Sequence, residues 1–193
     1  MSHHRPLTTP SLIAALLLLL MPTPSGAGNP AAAPSVPRPD DLAVGQPAPD
    51  FDYLSTPYGW RRFRDECAQR PVLLVIAPSE ADLVALERDR AALAIRGVTP
   101  MAVLRRRDGE NWKTISRLKL GFALFSDPHG VVPVLFDVRD SATGESEPAW
   151  FLVARGGGLL AFARGELPAD GFARVVAAAL PRAATTVAAD SRR

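Results

Sequence analysis

The chain has 193 residues, 47% of them hydrophobic and 22% charged, with a formal net charge of +2. That balance suits one globular domain plus a targeting segment and excludes a chain that is disordered or fibrous throughout; the small positive surplus does not by itself argue for nucleic acid. A single cysteine, Cys67, excludes an intramolecular disulfide, and three histidines leave no set of Cys and His ligands for a zinc centre once the amino-terminal pair is removed.

The amino terminus carries Arg5, then an apolar run from Leu12 to Met21, then Pro22, Pro24 and the small residues Ser25, Gly26 and Ala27. The run falls well short of the roughly 20 residues that a membrane-spanning helix needs. This pattern predicts a secretory signal peptide over residues 1–27, cut before Gly28, and hence a periplasmic or secreted protein with no stable membrane anchor after cleavage. An uncleaved anchor is the alternative. Residues 28–41, rich in proline and alanine, read as a linker.

The folded domain is expected over residues 42–182. Phe51–Leu54 and Trp60–Arg64 form a predicted hairpin around Pro57, Tyr58 and Gly59. Residues 71–77 are apolar without alternation, as a strand covered on both faces requires. Ser79 is a helix cap, Asp82 closes a capping box with it, Leu83, Leu86 and Leu93 follow at helical spacing, and Gly97 ends the helix. Val98–Leu104 is a strand, Asn111–Leu120 a helix and Phe122–Phe125 a short strand. A turn covers Ser126–Gly130. Trp150–Val153 and Leu159–Ala163 pair as a hairpin across Gly156–Gly158. A last helix opens with Pro168, carries Phe172, Val176, Ala179 and Leu180 on one face, and stops at Pro181. Residues 183–193 read as a flexible tail. The order predicts an α/β layout with helices on both faces of a mixed sheet.

Several segments resemble the redoxins, the alkyl hydroperoxide reductase and thiol-specific antioxidant (peroxiredoxin-like) family of the thioredoxin-like superfamily. Val44–Phe51 is similar to that family's entry signature, and a hairpin with a glycine turn follows it. Leu124–Gly130 with Phe136–Val138, and Glu147–Val153 with Gly156 and Gly157, resemble two later signatures. The resemblance spans about residues 42–181. It implies a thioredoxin-like fold, a central mixed β-sheet flanked by helices with an amino-terminal β-hairpin extension. No cofactor or metal is implied.

The family keeps its working thiol just after the core strand, where a helix amino terminus favours a thiolate. Here that segment has no cysteine. Matching Pro78 to the family's proline puts Asp82 in the threonine position and Ala85 in the cysteine position. Ser79, Glu80 and Asp82 read as ordinary helix caps, and carboxylates there oppose thiolate formation. Pro78, Ser79, Asp82 and Ala85 are therefore the expected degenerate site. The family's arginine near its second site has no clear match, since Glu147 and Pro148 occupy that region.

Cys67 is the catalytic candidate. The alternatives are a passive thiol or a disulfide between chains. The resemblance makes Pro148 the proline beside the active-site loop, often cis in that family, and a Pro148/Trp150 cleft the expected site for a protein or peptide partner. Trp150 packing in the core is the competing reading. Arg105–Arg107 reads as a solvated loop, with an anion or partner patch as its alternative, and His129 as a surface turn residue. The expected function is a non-catalytic binding role; the alternative is a thiol-dependent antioxidant or oxidoreductase acting through Cys67.

Overall fold

The computed structural model describes residues 42–55, 59–140 and 142–180. The expected signal peptide, linker, Pro57–Tyr58 turn, Pro181 stop and carboxy-terminal tail lie outside these residues.

β3 (Val72–Ile76) is the centre of the fold, and every residue in it is fully buried. Alternation sends Val72, Leu74 and Ile76 into one apolar layer and Leu73 and Val75 into the other. β4 (Thr99–Leu104) pairs with β3 in parallel, and β5 (Ala123–Ser126) pairs with β4 in parallel. On the other side β6 (Ala149–Val153) runs antiparallel to β3, and β7 (Leu159–Arg164) antiparallel to β6. The sheet order is thus β5-β4-β3-β6-β7. β1 (Asp52–Ser55) and β2 (Gly59–Arg62) form the separate hairpin expected before the sheet.

One layer is largely aromatic. Phe51 stacks on Phe63 at 4.7 Å between ring centroids, Tyr53 lies 4.9 Å from Phe125, and Phe136 meets Phe151 edge-on at 4.7 Å. These contacts tie the hairpin to the main sheet. The helices α1 (Phe63–Gln69) and α4 (Val131–Leu135) bury Phe63, Cys67 and Val132 in this layer. The opposite layer is covered by α2 (Glu80–Ile95), which contributes Leu83, Leu86 and Leu93, and by a carboxy-terminal helix α5 over residues 172–180, which contributes Phe172 and Val176. Ile115 and Leu118 of α3 (Asp108–Leu118) pack against that layer too.

The differences from the expected elements have local causes. α1 and α4 were not expected: α1 is short and carries the charged run Arg64–Glu66, and α4 contains Pro133. The buried Asp127 carboxylate accepts from Val131 N at 3.0 Å and Val132 N at 2.8 Å, which organises the first turn of α4. α3 starts three residues earlier than the expected Asn111 and ends at Leu118, because Lys119 takes a left-handed conformation at φ 53° without being glycine. Pro168 does not open the last helix. It begins a turn closed by Gly171 N donating to Pro168 O at 3.0 Å, and the helix starts only at Phe172.

Candidate functional site

The chain leaves β3 through Ala77, whose φ of 50° lies in the left-handed region. A side chain there costs on the order of 1–2 kcal/mol in backbone strain. Ala77 N donates to Val103 O at 3.1 Å, which fixes the turn to the end of β4. Pro78 follows, buried, and α2 begins two residues later.

The capping box forms as the sequence predicts. Ser79 N donates to Asp82 Oδ2 at 2.8 Å, and Asp82 N donates to Ser79 Oγ at 3.3 Å; the Ser79 hydroxyl also donates to Asp82 Oδ2. Glu80 is tied to Arg117 in the last turn of α3. That hydrogen bond is the main cause holding the Glu80 carboxyl below its ordinary range, with the charges of Arg117 and Arg106 adding to it. One turn along α2 from Asp82, Ala85 is half-buried and packs against the aliphatic layer. Two carboxylates and a methyl group therefore occupy this helix start.

Cys67 lies at the other end of the sheet. Its carbonyl accepts from Gly156 N at 2.9 Å, in the turn that follows Val153, and Val153 pairs with Val72, the first residue of β3. The five residues of β3 stand between that end and Ala77, about 16 Å at the usual rise. Cys67 is 1% exposed and sits in the aromatic layer. Burial first, then the charges of Asp50 and Glu66, push its thiol up to about 12. A disulfide to another chain through Cys67 requires α1 to open.

Pro148 is exposed and precedes Ala149, which pairs with Ile76, so Pro148 and Ala77 leave the same end of the ladder. Trp150 does not line a cleft beside it. Period-two alternation turns Trp150 into the aliphatic layer, where it is 8% exposed, so of the two readings of this residue the core one holds. The structure thus gathers Pro78, Ser79, Asp82 and Ala85 at the β3–α2 junction with Pro148 near them, and separates Cys67 and Trp150 from them. Arg117 was missed, because nothing in the sequence marks a partner 37 residues from Glu80. His129 is exposed in its turn, as expected.

No protein-family model matches the chain, and no curated protein sequence matches it. Solved structures do. The peroxidoxin BcpB of Mycobacterium tuberculosis superposes with a TM-score of 0.64 at 17% identity, over 73% of this chain and 97% of that one. A Chlorobium tepidum protein described as the thiol:disulfide interchange protein DsbE gives 0.59 at 25% identity, over 72% and 99%. The reduced 2-Cys peroxiredoxin of Plasmodium vivax gives 0.59 at 19%, over 71% and 96%. The fold is the thioredoxin-like fold of the redoxins. The redoxin-type frame places the β3–α2 junction, with its capping box and Glu80–Arg117 pair, at the carboxy-terminal end of the central strand, and leaves the single thiol of the chain under α1 at the opposite end.

Proposed function

We propose that this chain is an exported redoxin-fold protein that has lost thiol chemistry and acts by binding. The observation that carries the reading is the β3–α2 junction. A helix amino terminus stabilises a thiolate through its partial positive charge and unpaired N–H groups. Here Asp82 and Ser79 take those groups up, Glu80 adds a second carboxylate, and no sulfur is present from Ala77 to Ala85. The remaining thiol is buried and held protonated. Export rests on the signal-peptide pattern of residues 1–27 and implies a periplasmic or secreted location. The frame that remains offers a protein or peptide partner the exposed Pro148 edge, with Trp150 serving the core behind it.

The test is turnover. The purified protein, supplied with dithiothreitol, is assayed for peroxide consumption and for insulin disulfide reduction. Rates equal to those of buffer and reductant alone are expected. Turnover abolished by Cys67→Ser would overturn the reading and restore a Cys67-dependent oxidoreductase.

A further inference from the structure

Two arginines meet on one neutral atom. Arg105, just past the end of β4, donates from Nη1 to the carbonyl oxygen of Gly144 at 2.9 Å. Arg139 donates from Nε to the same oxygen at 3.3 Å. The two bonded nitrogens therefore lie within about 6 Å of each other, a separation at which like charges repel even in water.

Among the described residues, no carboxylate lies within ion-pair distance of either guanidinium, which they share with Arg70, Arg96, Arg106, Arg107 and Arg155 and not with Arg61, Arg62, Arg64, Arg88, Arg90, Arg117, Arg164 and Arg174; what sets Arg105 and Arg139 apart is the carbonyl they share. Nearby carboxylates exist but do not answer these two. Asp140 spends its Oδ1 on Ala142 N at 2.7 Å and Thr143 N at 3.1 Å. Glu145 and Glu147 are exposed and make no ion pair with Arg105 or Arg139.

Glycines lie beside both side chains. Gly144 and Gly130 both adopt positive φ, 68° and 67°. A Cβ on Gly144 would stand 3.3 Å from Arg139 Nη2, and one on Gly130 would stand 3.6 Å from Arg105 Nε. Each guanidinium uses one nitrogen on the carbonyl, which leaves most of its five N–H donors for a ligand. The pair also sits at the carboxy-terminal end of parallel strands, the edge at which open α/β sheets bind ligands.

We propose that Arg105 and Arg139 form a binding site for a phosphate-type dianion. Both side chains are exposed; two adjacent positive charges match two negative ones, and guanidinium forks match tetrahedral oxyanion geometry. A carboxylate monoanion would be satisfied by a single fork. Of the triple-arginine run, Arg105 is the member that acts here; Arg106 contributes its charge near Glu80 instead. The site is independent of the thiol question, because neither arginine belongs to the β3–α2 junction.

The experiment is a titration of the full-length chain with inorganic phosphate at constant ionic strength, chloride making up the balance, with melting temperature as readout. A saturable rise is expected. Arg105→Ala and Arg139→Ala each weaken it by about tenfold, the loss expected for one charge-assisted contact. Arg174→Ala, on α5 and paired with Asp170, leaves the curve unchanged. Arg105→Lys and Arg139→Lys, which keep the charge and lose the fork, fall between. Phenyl phosphate in place of the inorganic ion identifies the source: tighter binding marks a phosphomonoester ligand, equal or weaker binding a free phosphate. A rise that never saturates, that chloride reproduces, or that survives both alanine substitutions overturns the site.

Discussion

Glu80, the first residue of α2, is ion-paired to Arg117 in the last turn of α3, so two helices that flank β4 in sequence are joined by one charge contact. Both side chains are about half exposed, which keeps the contribution small and sensitive to salt. Its sign with pH is nevertheless fixed. The folded Glu80 carboxyl is held below its ordinary range, mainly by the Arg117 hydrogen bond. The stabilisation is therefore complete above the unfolded value, about pH 4.3, and is lost as pH falls through the lower folded one. Glu80→Gln is expected to lower the melting temperature slightly at pH 7 and by less at pH 3. An equal difference at both pH values would assign the effect to packing instead.

Restoring a thiol should not restore a redoxin. Ala85 lies three residues beyond Asp82, on neighbouring positions of the helix surface. A cysteine there meets a carboxylate and an aliphatic layer, and both oppose thiolate formation. Ala85→Cys is expected to react with a chromogenic disulfide at pH 7 no faster than a free thiol. Adding Asp82→Thr removes the like charge and is expected to raise the rate by about two- to tenfold. A fast single variant would mean that the helix end outweighs its acidic residues.

The sequence displayed most of this frame because its strongest signals were local. The unbroken apolar run of β3, the Ser79–Asp82 box and the triple-glycine turn each specify their own geometry, and each formed. What stayed hidden was set by distant partners. α1 is a charged segment that becomes helical over an aromatic layer built by nearby Phe51 together with Phe125 and Phe136, both far along the chain. Trp150 allowed both a core and a cleft reading until strand alternation and the covering helices decided it. The same holds for Arg139, which drew no notice in the sequence and is brought to Arg105 only through the Gly144 carbonyl.

Asp89 illustrates that non-local logic in a measurable way. The position before α5 is Gly171, which has no side chain to cap the helix. Asp89 of α2 supplies the missing acceptor, taking Ala173 N on Oδ2 at 3.1 Å while its Oδ1 takes Arg88 Nε. Asp89→Ala is expected to cost about 1 kcal/mol in urea unfolding, within the range of lost helix caps, and Asp89→Asn much less because it keeps an oxygen acceptor. Gly171→Ala should cost more than Asp89→Asn. Its φ is 95°, and an added Cβ would lie 2.6 Å from Asp89 Oδ2. Equal midpoints for Asp89→Ala and the unmodified chain would exclude the capping role.

Cys67 gives the fold an alkaline pH signature. Burial and the neighbouring charges of Asp50 and Glu66 push its thiol up to about 12. A thiol in the unfolded chain titrates near 8.5. Above that pH the unfolded state releases a proton that the folded state retains, so stability falls as pH rises, at up to about 1.4 kcal/mol per pH unit. The loss continues until the folded thiol itself ionises. Tyr53 acts in the same direction at higher pH, because burial and the adjacent Glu66 carboxylate also raise its hydroxyl. Cys67→Ala should therefore flatten the stability profile between about pH 8.5 and 10 while leaving the Tyr53 part above it. In the folded protein at pH 8, alkylation of Cys67 by iodoacetamide should be far slower than in urea, since the thiol is both enclosed and protonated. Rapid labelling of the folded chain, together with an alkaline profile that Cys67→Ala leaves unchanged, would show a thiol open to reagents and return it to consideration as a nucleophile.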